Sequence, residues 1–152
     1  MLLVDKEIMN SSKKISIFLV DDDALYLTLL QAEFTGNPDY AITKFVNGES
    51  CLEGLSEKPD IVVLDYYLDG INKTALNGLE TLAKIRETNP EIPVIMLSSQ
   101  DKIEVAVNCM KLQAFDYIVK SETAFSRLHN AISTALKVKK MEKVLSWYRD
   151  KL

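Results

Sequence analysis

The apolar run Ile15-Ser16-Ile17-Phe18-Leu19-Val20 stops on three consecutive aspartates, Asp21-Asp22-Asp23, and a second run, Ile61-Val62-Val63-Leu64, stops on Asp65. Two further runs end in the same manner: Ile92-Pro93-Val94-Ile95-Met96-Leu97 on Ser98-Ser99, and Phe115-Asp116-Tyr117-Ile118-Val119 on Lys120. Short runs this apolar, bounded by polar residues, read as strands buried on both faces. Such strands belong to a parallel sheet covered by helices, in which every carboxyl end points to one edge and ligands bind where the strand order reverses. Acid, acid, hydroxyl and ammonium gathered at that edge suit a metal ion and a phosphoryl group.

Helical segments separate the runs. Ala24 to Thr35 places Leu25, Leu29 and Phe34 near helical spacing, and Gly36-Asn37-Pro38-Asp39 stops it. Tyr40 to Val46 alternates as a second strand, Asn47-Gly48 turns the chain, and Glu49 to Glu57 forms a short helix ending before Pro59. A long connection, Tyr66 to Ala75, leads to a helix from Leu76 to Thr88 with Leu79, Leu82, Ala83 and Ile85 inward. Asp101 to Leu112 is a helix with an apolar face of Val105, Ala106, Cys109 and Leu112. From Glu122 no breaker appears through Leu152. Five alternations of strand and helix predict an α/β, flavodoxin-like (βα)5 three-layer sandwich with sheet order 2-1-3-4-5, which brings Asp21 and Asp22 beside Asp65.

The expected organisation is a leader over residues 1–14, one domain over 15–136, and a helical extension over 137–152. With 152 residues there is enough chain to bury one core. Its net charge of −4 offers nucleic acid no overall attraction, so no direct nucleic-acid binding is expected. Cys51 and Cys109 lack metal or disulfide spacing and read as small apolar residues of helix faces in a reducing compartment. Neither a membrane span nor a signal peptide is visible, which predicts a cytoplasmic chain without membrane insertion.

Five elements in order carry a family resemblance: the acidic pair in Leu19-Val20-Asp21-Asp22, the acid of Val63-Leu64-Asp65, the helix opening Asn77-Gly78-Leu79, the hydroxyl of Met96-Leu97-Ser98, and Asp116-Tyr117-Ile118-Val119-Lys120. From about Ile15 to Ala135 the chain resembles the receiver domain of two-component response regulators. The resemblance implies that Asp65 accepts a phosphoryl group from a sensor histidine kinase or a histidine phosphotransfer protein. It also implies Mg²⁺ held by Asp22 and Asp65 directly, by Asp21 through water, and by the main-chain carbonyl of Tyr67. Three carboxylates at close range repel by roughly 1 to 4 kcal/mol per pair at surface-like dielectric, so a cation there is physically reasonable. By the same resemblance Lys120 and Ser98 contact the phosphoryl oxygens, and Ser98 with Tyr117 switches an output face. Such a chain is a phosphoacceptor rather than an enzyme with its own substrate. Asp23 reads as a helix cap and His129 as a surface helix residue.

Several positions depart from the family pattern. Leu68-Asp69 replaces Met-Pro after the acceptor, and the loop to Gly78 is about five residues longer than usual. Ser121 replaces the proline after Lys120, where a cis bond without proline would cost roughly 2.5 to 4 kcal/mol, so either a strained cis bond or a trans one is expected. Gln113 replaces a glycine, predicting a helix end different from the usual left-handed cap. Beyond the domain, Leu128, Ile132, Ala135, Val138, Met141, Leu145 and Tyr148 form a stripe with Trp147 alongside. That stripe, or the fourth helix, predicts pairing with a second copy. With no sequence left for an output domain, the chain reads as a stand-alone receiver. Two competitors remain: a haloacid dehalogenase-like phosphatase, which Asp21-Asp22-Asp23 loosely echoes, and a pseudo-receiver that binds partners without phosphorylation.

Overall fold

A computed structural model describes residues 13–152, and the expected leader lies largely outside them. Five parallel strands, β1 (Ile15–Val20), β2 (Tyr40–Phe45), β3 (Ile61–Asp65), β4 (Val94–Ser98) and β5 (Asp116–Val119), form one sheet in the order β2-β1-β3-β4-β5. The expected order is therefore the observed one. β3 and β4 are buried at every position, while β2 at the edge alternates between half-buried and exposed residues. This is the pattern of central strands covered on both faces and an edge strand covered on one.

The intervening helices are α1 (Ala24–Thr35), α2 (Gly48–Gly54, followed by a 3-10 turn over Leu55–Glu57), α3 (Gly78–Thr88), α4 (Ile103–Lys111) and α5 (Ala124–Lys151). Successive side chains of a strand point to opposite faces, and the core divides accordingly. Ile17, Leu19, Ile61 and Val63 pack with Leu27, Leu30 and Phe34 of α1 and Leu128 and Ile132 of α5. Phe18, Val20, Val62 and Leu64 pack with Cys51 of α2, Leu82 and Ile85 of α3, and Cys109 of α4. Both cysteines are fully enclosed, and burial pushes their thiols up to about 12 and about 11, so neither is a thiolate at neutral pH.

Two expectations change, those for α1 and for the end of α4, while the expected apolar face of α4 is its inward one. The buried side of α1 is Leu27, Leu30 and Phe34, whereas Leu25 and Leu29 face solvent at 70% and 49% exposure. The helix is apolar almost all round, so its periodicity fits more than one phase. α4 turns Cys109 to the core, half-buries Val105, Ala106 and Leu112, and exposes Ile103, Val107 and Met110. At the end of α4, Gln113 adopts the left-handed backbone, φ 63°, that a different helix end was expected to avoid. The Ala114 N–H donates to the Cys109 carbonyl and the Gln113 N–H to Met110, the paired bonds of a Schellman cap. Satisfying two carbonyls of the last turn outweighs the steric cost at Gln113.

α5 runs without a break through the lysines at 137, 139 and 140. Its first half buries Leu128, Ile132 and Ala135. The same stripe then leaves the body, exposing Val138, Met141 and Leu145. Lys139 reaches back to the Asp60 carbonyl at 3.1 Å. His129 lies on the exposed side, hydrogen-bonded to Glu33 at 2.9 Å and in tilted ring contact with Phe34. Among the described residues no helix is long and apolar enough to cross a membrane.

Candidate functional site

The parallel sheet delivers the end of each central strand to one edge. β1 ends into Asp21 and Asp22, β3 ends on Asp65, β4 on Ser98, and Lys120 follows β5 directly. Register places Val20 beside Leu64 and Asp65 beside Leu97, so the acids of β1 and β3 are neighbours across the switch point. Oxygens of Asp21, Asp22 and Asp65 all lie within 4.8 Å of one another.

The three acids are held differently. Asp21, 1% exposed, has both oxygens engaged: Oδ1 accepts from the Asp23 N–H at 2.9 Å and Oδ2 from Lys120 Nζ at 2.9 Å. Asp22 is half-buried and its Oδ2 accepts from the Ile71 N–H at 3.3 Å, so the long loop after β3 folds back onto this carboxylate. Asp65 is 4% exposed, its Oδ1 has no hydrogen-bond donor, and the nearest cation is Lys120 Nζ at 3.5 Å. Burial first, and then the Asp21 charge, push the Asp65 carboxyl up to about 7, against the pull of Lys120 and of the Tyr67 backbone N–H. Burial alone would pull the Lys120 ammonium down. Asp65 and Asp21 more than reverse that, leaving it above its ordinary value and charged.

A buried carboxylate oxygen without a donor, flanked by two more carboxylates, is an arrangement that a hard cation with oxygen ligands completes. The acidic cluster thus has the donor set of a metal site.

Gly78 opens α3 directly beneath the acceptor. Its N–H donates to the Tyr66 carbonyl at 2.8 Å, and a Cβ there would overlap the Asp65 carbonyl and the Tyr66 backbone. Asn77 caps the helix in a reciprocal box with Glu80, fixing where this close approach begins. Ser98 is fully buried and its Oγ accepts from the Gln100 N–H at 3.1 Å. The Tyr117 hydroxyl donates to the Gln100 carbonyl at 2.6 Å, so Ser98 and Tyr117 converge on one loop between β4 and α4. Tyr67 is 37% exposed, two residues past the acceptor. All peptide bonds among the described residues are trans, Lys120-Ser121 included, and Lys120 still reaches both acids.

Sequence reasoning missed two participants. One is the Gly70-Ile71 segment against Asp22. The other is Tyr26, whose ring centroid lies 4.3 Å from Lys120 Nζ. The available signal for Tyr26 was its place in the first turn of α1, just after the acidic triplet and therefore at the same edge.

This architecture and site match a known class. Residues 17–133 match the family model of the response regulator receiver domain. The transcriptional regulatory protein ZraR of Klebsiella oxytoca is 35% identical over 126 residues, covering 83% of this chain and 27% of that protein. Among solved structures, NtrX from Brucella abortus superposes with a TM-score of 0.78 at 29% identity, covering 90% of this chain and 30% of that one. The isolated receiver domain of the same NtrX gives 0.70 at 30% identity, over 80% and 98%. The chain belongs to the response regulator receiver family, a family of signalling domains in two-component systems. It spans about a quarter of the length of the ZraR proteins it matches.

Proposed function

We propose that this chain receives a phosphoryl group on Asp65 from a phosphohistidine of a sensor histidine kinase or phosphotransfer protein, with Mg²⁺ held by Asp21, Asp22, Asp65 and the Tyr67 carbonyl. The observation that carries the reading is Asp65 Oδ1, enclosed and without a donor, 3.5 Å from the Lys120 ammonium. An Asp65 carboxylate oxygen attacks phosphorus and an O–P bond forms as the donor's N–P bond breaks, the bond pair returning to a donor ring already protonated on its other nitrogen, which leaves as neutral imidazole. Transfer of this kind has a loose transition state, so positioning and charge neutralisation supply most of the acceleration. The bound cation would neutralise the carboxylates and the phosphoryl oxygens together. Lys120 supplies a fixed ammonium, and the Ser98 hydroxyl can turn from its present bond to a new phosphoryl oxygen.

The phosphatase reading needs Asp21 as nucleophile, yet both Asp21 oxygens are occupied, by the Asp23 N–H and by Lys120, while Asp65 keeps one free. That difference favours Asp65. A phosphoryl group would bias Ser98, Tyr117 and the loop between them, next to the exposed apolar Ile103, Val107 and Met110 of α4. We read residues 15–136 as the receiver unit and 137–152 as an extension whose exposed Val138, Met141 and Leu145 support pairing with a second copy. The cytoplasm, where such kinases present their phosphohistidines, is the setting proposed.

Incubation with acetyl phosphate and Mg²⁺, read by intact mass, tests the function. One labile phosphoryl group on the native chain and none on Asp65→Asn is the expected result. A group retained by Asp65→Asn would transfer the role to another acid, and no uptake by either chain would favour the pseudo-receiver. Sedimentation of the same samples reads the self-association.

A further inference from the structure

Lys120 leaves β5 on a trans peptide with no proline behind it, so its placement depends on what surrounds the side chain. Its backbone N–H is pinned to the Ser98 carbonyl at 2.7 Å, which fixes the Cα and leaves a flexible four-carbon stem. An ammonium has three N–H groups. One donates to Asp21 at 2.9 Å, a second side faces Asp65 Oδ1 at 3.5 Å, and the remaining side lies over the ring of Tyr26.

That ring is itself held. The Tyr26 N–H donates to Asp23 Oδ1 at 3.2 Å, and the Asp23 N–H donates to Asp21 Oδ1 at 2.9 Å. The circuit from Asp21 through Asp23 and Tyr26 closes on Lys120, which returns to Asp21. The ring also meets Phe125 of α5 edge-on, centroids 6.0 Å apart. Tyr26 therefore forms one wall of the ammonium's surroundings, braced by Phe125 in the first turn of a second helix.

We propose that Tyr26 is a positioning residue for phosphoryl transfer: its aromatic face, not its hydroxyl, keeps the Lys120 ammonium inside the site while that ammonium exchanges Asp21 for a phosphoryl oxygen on Asp65. Attraction to a ring face is broad in direction, whereas a hydrogen bond is narrow. The ammonium can thus swing between oxygens without leaving the ring, and Lys120 needs no constrained turn behind it. Asp23, which caps α1, sets the position of this wall as well.

The inference rests on Asp65 as acceptor, and its test separates the two. Tyr26→Phe keeps the face, while Tyr26→Leu and Tyr26→Met remove it. With Mg²⁺ saturating, Leu and Met should lower the maximal rate of phosphorylation by acetyl phosphate about five- to tenfold. Mg²⁺ affinity should stay within twofold, and Phe should restore most of the rate. Independently of phosphorylation, the side-chain ammonium resonance of Lys120, slowed in exchange by enclosure, should persist in native and Phe chains and broaden away in Leu and Met. An unchanged resonance in Leu and Met would overturn the contact itself, whether or not Asp65 is the acceptor. Native rates in both, or a Phe chain as slow as Leu, would overturn the role of the ring. If Leu does not fold, the unbranched Met chain carries the same comparison.

Discussion

The two edges of the sheet treat charge in opposite ways. At the amino edge the charged side chains of Asp60 and Arg86 close backbone. Asp60 accepts from the Ser16 N–H at 2.8 Å and from Lys139 at 3.4 Å, and Arg86 donates to the carbonyls of Asn89, Ile92 and Gln113. At the carboxyl edge two buried carboxylates share one ammonium, and one oxygen of Asp65 has no donor. The amino edge uses these groups to close loops, although Arg86 Nε is buried without a partner. The carboxyl edge keeps an electrostatic deficit that a cation and a phosphoryl group can fill, which is how a marginally stable fold holds a site ready for chemistry.

The largest expected effect removes that deficit. The Asp65 carboxyl titrates near 3.8 when unfolded and at about 7 in the folded chain without metal. Below the lower value both states are protonated and the fold carries no penalty from this group. As pH rises from about 4 to about 7 the unfolded chain releases the proton first, so stability falls across that window and levels off above it. The loss is on the order of a few kcal/mol. Asp65→Asn should abolish this slope and be the more stable chain at pH 8, while Mg²⁺ should restore the native chain alone. Urea melts at pH 5 and pH 8, with and without Mg²⁺, measure all three. A native chain as stable at pH 8 as at pH 5 without metal would remove the contrast between the edges.

The amino edge should respond in the reverse sense. Arg86→Ala leaves three loop carbonyls without their donor and should cost roughly 2 to 3 kcal/mol, seen as an earlier urea midpoint. Phosphoryl uptake by the folded fraction should stay native, because Arg86 touches none of the acids. A chain that lost uptake in proportion to stability would mean that the two edges are coupled through the sheet.

How far the sequence discloses this division depends on the range of each interaction. Strand ends are local, so Asp21, Asp22, Asp65, Ser98 and Lys120 were legible from apolar runs and their terminators, and 2-1-3-4-5 is one of the two common doubly wound orders. Asp23 was legible as a cap because capping acts within one turn. The phase of α1 was not, because Leu25, Leu27, Leu29 and Leu30 offer more than one apolar face and only the sheet selects Leu27 and Leu30. The pairing of Tyr26 was illegible for another reason: its partner Lys120 follows the seventh element after α1, and no local pattern pairs a ring with a distant ammonium. Arg86 belongs to the same group, since its three carbonyls come from two separate loops.

Gln113 shows where local and tertiary demands meet, and it supplies the smallest expected effect. The missing glycine argued for an altered helix end, yet φ there is 63°. Two requirements fix it. The Schellman bonds to Cys109 and Met110 need a left-handed residue at this position, and the Gln113 carbonyl must face Arg86 Nη2, which it meets at 2.8 Å. A side chain in this conformation costs about 1 kcal/mol relative to glycine. Gln113→Gly should therefore raise stability by somewhat less than that, since glycine also gives the unfolded chain more freedom. In an Arg86→Ala background the gain should persist, because the cap bonds remain. A gain that vanished there would show that Arg86, rather than the end of α4, holds the left-handed turn.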